Sequence, residues 1–157
     1  MNNSKIVKVE IASVKDAEEI FQLQKLAYIS EAEIYNDYTI PPLVQPVEET
    51  IEAFKTYTIL KAVHQGKIIG SVRGELTDNY VYVGRLMVHP DYQNQGLGTR
   101  LMLAIEAAFP QAKKFTLGTG HLSERNLSLY HKLGYRDISS EVENDSLTIV
   151  RLEKTIP

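Results

Sequence analysis

The sequence predicts an α/β domain on a mixed, mostly antiparallel sheet of about six to seven strands, from three observations. Between residues 57 and 88 the apolar period is two, punctuated by Gln65-Gly66 and Thr77-Asp78-Asn79, which is the pattern of an antiparallel meander. Before it, Ala17, Ile20, Phe21, Gln24 and Ala27 step by three and four, and after it Leu97, Leu101, Met102, Ile105, Ala108 and Phe109 do the same, so a helix packs on the sheet from each side of the meander in sequence. The second of these helices lies between the strand ending at Val88 and a short apolar strand at Lys114-Phe115-Thr116-Leu117-Gly118-Thr119. A strand–helix–strand unit favours parallel strands with a right-handed crossover, which makes the sheet mixed.

A chain of 157 residues, 43% apolar and 24% charged, is the size of one ordinary domain, and residues 1–157 are expected to form it. A formal charge of −3 and an isoelectric point near 5.8, with no run of Lys and Arg, argue against a nucleic-acid coat. Zero cysteines exclude disulfides, a thiol nucleophile and thiolate zinc sites. His64, His89, His121 and His131 lack the spacing of a metal motif, so no metal is expected. The start, Met1-Asn2-Asn3-Ser4-Lys5, leads into a short alternating segment with no apolar stretch long enough for a signal peptide or a membrane span. A cytoplasmic protein with no membrane partner is the expectation.

In order, Ile6, Val9 and Ile11 begin a first strand. Ser13-Val14-Lys15-Asp16 has the form of a capping box, and the helix it opens is expected to run to about Ile34. Three prolines in Tyr35–Pro46 forbid a long regular element there, and Val47 to about Lys55 gives a short helix with Glu48 and Glu49 in its first turn. The meander follows, with Gly70, Gly74 and Gly84 marking bends, bulges or close approach. Beyond the crossover, Ser123-Glu124-Arg125-Asn126 opens a last helix with Leu127, Tyr130 and Leu133 on one face and Gly134 as its C-terminal cap. Tyr135 to about Val142 and Ser146 to Leu152 close the chain as a hairpin.

The stretch with the clearest chemistry is Leu86-Met87-Val88-His89-Pro90-Asp91-Tyr92-Gln93-Asn94-Gln95-Gly96-Leu97-Gly98-Thr99-Arg100. A strand stops at a proline, a polar loop with two glycines follows, and a helix begins. Such a junction suits phosphate, because glycines let the backbone come close and the first helical turn offers unpaired N–H groups and partial positive charge. A dinucleotide fingerprint is excluded by its position after a meander and by the missing third glycine, and a Walker loop by the missing Gly-Lys-Ser/Thr.

Two motifs then carry a resemblance that covers nearly the whole chain. Leu86-x-Val88-x-Pro90 followed by Gln93-x-x-Gly96-x-Gly98 is similar to the Gln/Arg-x-x-Gly-x-Gly/Ala pyrophosphate loop of the GNAT superfamily of acetyl-CoA-dependent N-acetyltransferases, and Leu129-Tyr130-x-Lys132-x-Gly134-Tyr135 is similar to that family's late helix and following strand. The resemblance implies a three-layer α/β/α sandwich of the GNAT-like acyl-CoA N-acyltransferase fold. It implies that backbone N–H groups of Gln93, Asn94, Gln95, Gly96, Leu97, Gly98 and Thr99 cradle the coenzyme A pyrophosphate, with Arg100 adding charge. Leu86, Met87 and Val88 would bind the pantetheine arm through their backbone. Tyr130 would give a proton to the departing thiolate, and its alternative is a place in the core.

The general base does not carry over. The family positions that often hold a carboxylate are Gly118 and about Tyr82 here, which leaves Glu75, Glu31, Glu33, Asp37 and His121 as candidates by residue type, beside a water chain. Many members have an asparagine seven residues before the tyrosine, where this chain has Ser123, with Asn126 four before it; either is expected to bond the coenzyme or cap the helix. The expected activity is transfer of acetyl from acetyl-CoA to an amine of a small molecule or peptide by direct attack. The alternative is a non-catalytic acetyl-CoA sensor or interaction module. The segment from Tyr28 to Pro46 should line the acceptor site, where Glu31, Glu33 and Asp37 lean toward a cationic acceptor, and a homodimer is left open.

Overall fold

The computed structural model of the chain describes residues 6–157, so the reading of Met1–Lys5 lies outside the described residues. The element order is β1 (Lys8–Ile11), α1 (Ala17–Ala27), α2 (Ile29–Tyr35), α3 (Pro41–Val44), α4 (Val47–Ala53), β2 (Thr58–His64), β3 (Lys67–Thr77), β4 (Tyr80–Val88), α5 (Leu97–Ala107), β5 (Lys114–Gly120), α6 (Glu124–Lys132), β6 (Arg136–Val142) and β7 (Thr148–Thr155). The strands form one seven-stranded sheet in the order β1-β2-β3-β4-β5-β7-β6. Every neighbouring pair is antiparallel except β4 and β5, the pair joined through α5. The mixed α/β fold is therefore as the sequence predicts.

Alternation on the strands sorts side chains into two cores, as the two-residue period requires. Leu60, Ala62, Ile69, Val72, Val81 and Val83 pack with Leu97, Leu101, Met102 and Ile105 of α5 and with Tyr130 of α6. On the other face Ile59, Ile68 and Met87 pack with Ile20 and Leu23 of α1 and Ala53 of α4. Helices thus cover both faces. Each fully buried aliphatic side chain of α5 contributes roughly 1.5–3 kcal/mol of transfer free energy. Two of the strand glycines let α5 approach: a Cβ on Gly70 would lie 3.0 Å from Leu101 Cδ1, and one on Gly74 would lie 3.1 Å from Ile105 Cγ1. None of the described helices is long and apolar enough to cross a membrane.

Details differ from the sequence-based expectations, beginning with β1, which starts at Lys8 and leaves Ile6 outside it and exposed. The first helix does not continue to Ile34: it breaks at Tyr28 (φ −85°, ψ 1°), whose hydroxyl donates to the Leu86 carbonyl of β4 at 3.3 Å, and α2 begins at Ile29. A tertiary bond wins over a helical period that local sequence carries unbroken. Ala108 is exposed rather than in the core, because α5 ends at Ala107 ahead of Pro110. The last strand starts at Thr148, since the Asn144 side chain accepts from the N–H groups of Ser146 and Leu147 and holds those residues in the turn.

Candidate active site

The site begins where the sheet comes apart. β4 and β5 pair only over Tyr80–Tyr82 with Lys114–Thr116, while β5 stays paired with β7 along its whole length. Residues 83–88 of β4, about 20 Å of strand at ~3.3 Å per residue, therefore have no partner on that edge. The gap opens into a cavity of about 660 Å³ lined by Leu86, Met87 and Val88, by Gln93, Asn94, Gly96, Leu97, Gly98 and Thr99, and by Tyr28, Ser30, Glu31, Ser123, Arg125 and Asn126. A bulge bends β4 at its mouth. Ser71 pairs with Met87 but Arg73 pairs with Gly84, so Arg85 and Leu86 together face Val72, and Arg85 takes a left-handed backbone (φ 51°).

At one end of the cavity lies the glycine loop. Gly96 caps α5 with φ 78°, a conformation that is costly for a residue with a Cβ. Among the described residues, none of the backbone N–H groups from 93 to 99 meets a protein acceptor, whereas the N–H of Arg100 already bonds the Gly96 carbonyl at 3.1 Å. Unpaired donors and the positive end of an eleven-residue helix together suit an anion. Gly98 faces α6 so closely that a Cβ there would lie 3.2 Å from Leu129 Cδ2. The Gln93 side chain is itself held, donating to the Val88 carbonyl at 3.4 Å and accepting from Arg125.

The opposite wall is a hydrogen-bond chain between α2 and the start of α6. The Leu122 N–H donates to the Tyr35 hydroxyl at 3.0 Å, Tyr35 and Ser123 Oγ lie 2.8 Å apart, and Ser123 Oγ donates to Glu31 Oε2 at 2.6 Å. Because a carboxylate only accepts, Ser123 must give its proton to Glu31, and Tyr35 must then donate to Ser123. Asn126 Nδ2 donates to the other oxygen, Glu31 Oε1, at 3.2 Å. Both polar side chains thus hold a carboxylate on the cavity wall, and Ser123 gives α6 no side-chain cap.

Tyr130 is buried, its ring 6.0 Å from that of Tyr135, next in the chain to Leu129, which lines the cavity, and its hydroxyl has no hydrogen-bond partner among the described residues. Burial, with the Tyr28 phenol, the Glu31 carboxylate and the Tyr82 phenol nearby, holds its hydroxyl well above the ordinary tyrosine pKa. Such a phenol stays protonated at neutral pH.

Of the residues singled out in sequence, eleven line this one cavity and three do not. Beside Tyr130, Gln95 lies outside it with a buried side-chain oxygen unpartnered, and Arg100 reaches back to donate to the Val7 carbonyl at 2.7 Å. Among the carboxylate candidates, Glu31 and Glu33 line the cavity, while Glu75 lies on β3 and Asp37 is turned onto Thr39. His121 accepts from the Thr148 N–H at 3.0 Å, and His64, His89 and His131 bond Tyr92, the Asp91 N–H and Asp137. The segment expected to line the acceptor site supplies Tyr28, Ser30, Glu31, Glu33 and Ile34 to the cavity; sequence reasoning missed that the Tyr28 hydroxyl pins the Leu86 carbonyl, and it missed Arg73 and Arg85, which share a second cavity beside the bulge. The one available signal was a pair of arginines interrupting otherwise apolar strands.

Comparison with known proteins agrees with this geometry. The family model described as an acetyltransferase (GNAT) domain matches residues 5–156. The UPF0157 protein YqkA of Bacillus subtilis (strain 168) is 32% identical over 123 residues, covering 76% of this chain, and the match spans only about a third (34%) of that protein's own length. Among solved structures, the ribosomal-protein-S18-alanine N-acetyltransferase of Escherichia coli shares the fold with a TM-score of 0.79 at 14% identity, covering 96% of this chain and 94% of that one. The putative acetyltransferase yncA of Salmonella typhimurium, solved with its cofactor acetyl-CoA, has a TM-score of 0.75 at 15% identity with the same coverage, 96% and 94%. The domain match over nearly the whole chain decides the assignment: the chain belongs to the GNAT acetyltransferase family.

Proposed function

We propose that the enzyme transfers the acetyl group of acetyl-CoA to an amine of a small molecule or peptide by direct attack on the thioester. The observation that carries this reading is the unpaired edge of β4 opening onto a cavity that ends in the free N–H groups of residues 93–99. A long ligand with an anionic middle and an amide-bearing arm matches that shape: pyrophosphate on the loop, arm along Leu86–Val88 as a further strand would lie. The bound acetyl-CoA of the Salmonella relative supports the choice of donor.

The reaction poses two proton problems. An alkylammonium of pKa roughly 10 must lose a proton before it attacks. Glu31 is the carboxylate best placed to take it, since Ser123 and Asn126 fix both of its oxygens at the cavity wall and leave lone pairs free. The departing thiolate then needs stabilisation. A thiol of pKa about 8.5 is more acidic than the Tyr130 phenol, so Tyr130, next in the chain to the lining Leu129 and with no hydrogen-bond partner for its hydroxyl among the described residues, serves as a donor to the sulfur as charge develops and not as an acid that protonates it early. The chain has no cysteine to carry an acyl group, in keeping with direct attack.

The test is release of free coenzyme thiol from acetyl-CoA with a panel of amines, read together with the mass shift of the acceptor. Turnover with at least one amine is the expected result. Acetyl-CoA binding without turnover on any amine would instead mark the chain as a sensor of acetyl-CoA.

A further inference from the structure

A second cavity, of about 340 Å³, lies on the α4 face of the sheet, beside the bulge. Two arginines from neighbouring strands share it: Arg85, at the bulge, and Arg73, which pairs with Gly84. Their charges are not neutralised. Among the described residues no carboxylate lies within salt-bridge distance of either guanidinium, and the ion pairs present elsewhere use Lys55, Lys61, Lys114, His131 and Lys154. Arg85 Nη2 donates to the neutral Gln45 Oε1 at 2.7 Å, and Arg73 stacks its guanidinium 4.3 Å above the Tyr57 ring. The Nε–H of each is buried without a partner.

This arrangement is costly to the fold. Two like charges on adjacent strands repel, a buried donor without an acceptor is unfavourable, and Arg85 holds a left-handed backbone to reach its place. Burial and the neighbouring Arg85 charge hold Arg73 below the ordinary arginine pKa, the neighbouring phenols only partly offsetting them, which is how an uncompensated pair behaves. The rim offers Glu49 and Glu52, and Glu52 is engaged 3.1 Å from Lys55. Planar guanidinium forks with open N–H groups match the oxygens of a carboxylate or a phosphate.

The cavity also adjoins the proposed reaction site. Arg85 lines the smaller cavity and Leu86, the next residue, lines the larger one; Tyr28 stands between them, bonded to the Leu86 carbonyl and close enough to both guanidinia to feel their charge. We infer that Arg73 and Arg85 bind an anionic group of the acceptor, so that the acceptor is a small molecule carrying both an amine and a carboxylate or phosphate. This rests on the acetyl-transfer reading of the adjoining cavity. It adds an anionic group to the cationic acceptor toward which Glu31, Glu33 and Asp37 leaned in sequence; of these, Glu31 is clipped to α6 and Asp37 to Thr39, while Glu33 lines the larger cavity.

The experiment compares matched acceptors by thiol release: the amino acids against their methyl esters, and O-phosphoethanolamine against ethanolamine. The expected result is a kcat/KM at least tenfold higher for the acid-bearing member of one pair, which also tells carboxylate from phosphate. Arg73→Gln and Arg85→Gln should abolish that preference through the acceptor KM, with the KM for acetyl-CoA unchanged. Arg85→Lys, which keeps the charge at the same backbone position, should retain most of it, so that loss in Arg85→Gln reports charge and not folding. Esters used as well as acids, or a preference that survives both Gln variants, would overturn the proposal. A second readout is thermal stabilisation by inorganic phosphate and by succinate over chloride at equal ionic strength, with coenzyme A saturating the loop. An Arg73- and Arg85-dependent rise supports the anion site even where no amine is acetylated, in which case the acetyl-transfer reading is what fails; no rise in the wild type overturns the anion site.

Discussion

The two sides of β4 present open donor groups of different kinds. On the α5 side, the anion-ready groups are backbone N–H groups of seven consecutive residues, 93–99, presented by a glycine cap and a helix end. On the α4 side, charge comes from side chains on two strands, Arg73 and Arg85, oriented by Tyr57 and Gln45 from two further segments. Backbone recognition needs a contiguous stretch, because the donors must be neighbours in the chain. Side-chain recognition needs only neighbours in space. The first device suits a constant donor and the second an acceptor that differs from enzyme to enzyme.

The largest expected effect separates the two sides. Gly96→Glu places a carboxylate and a Cβ at φ 78°, where the loop is otherwise open, and should weaken acetyl-CoA binding by on the order of a hundredfold or more in calorimetry. Phosphate stabilisation at the arginine pair should persist in that variant, and its loss would show that the two sides are one site. Tyr130→Phe should lower kcat roughly ten- to a hundredfold while acetyl-CoA affinity stays within about twofold. Unchanged turnover would remove Tyr130 from catalysis and return it to the core. Glu31→Gln should lower kcat/KM about tenfold at neutral pH and less at alkaline pH, where more of the free amine exists already; an equal loss at every pH would give Glu31 a positioning role only.

The smallest effect is on stability. Burial, with Glu106 beside it, raises the Tyr135 hydroxyl above the ordinary tyrosine value of 10.0, and burial raises Tyr130 in the same direction. A group with a raised folded pKa lends stability that is complete below its unfolded pKa and is lost as pH climbs through the folded one. Denaturant midpoints should therefore fall above pH 10, and fall less in Tyr135→Phe, which has no phenol to ionise. An alkaline slope identical in variant and wild type would show that another group sets it.

Much of the donor side was legible because its signal is local. Gly96, Gly98 and the α5 period sit within one stretch, and the meander before it follows from turn residues and a period of two. The break at Tyr28 was not legible, since the helical period runs through it and the bond that ends α1 is made to Leu86, 58 residues away. The roles of Ser123 and Asn126 were open in sequence for the same reason: each could cap a helix or meet a ligand, and the carboxylate that engages both comes from α2.

By itself the sequence determined the order of the seven strands, the mixed sheet and the place of the glycine loop, but neither the split of the first helix at Tyr28 nor the short α3. Periodicity, turn chemistry and glycine spacing are properties of neighbouring residues, and these are set before the chain folds. Only the tertiary structure decided how β4 parts from β5, that the Tyr130 hydroxyl is left without a partner among the described residues, and that Arg73 and Arg85 share a cavity with no carboxylate paired to either. Those features depend on which distant segments meet and at what angle. No local propensity encodes such a meeting, and it is fixed when the helices bury their apolar faces on a twisted and bulged sheet.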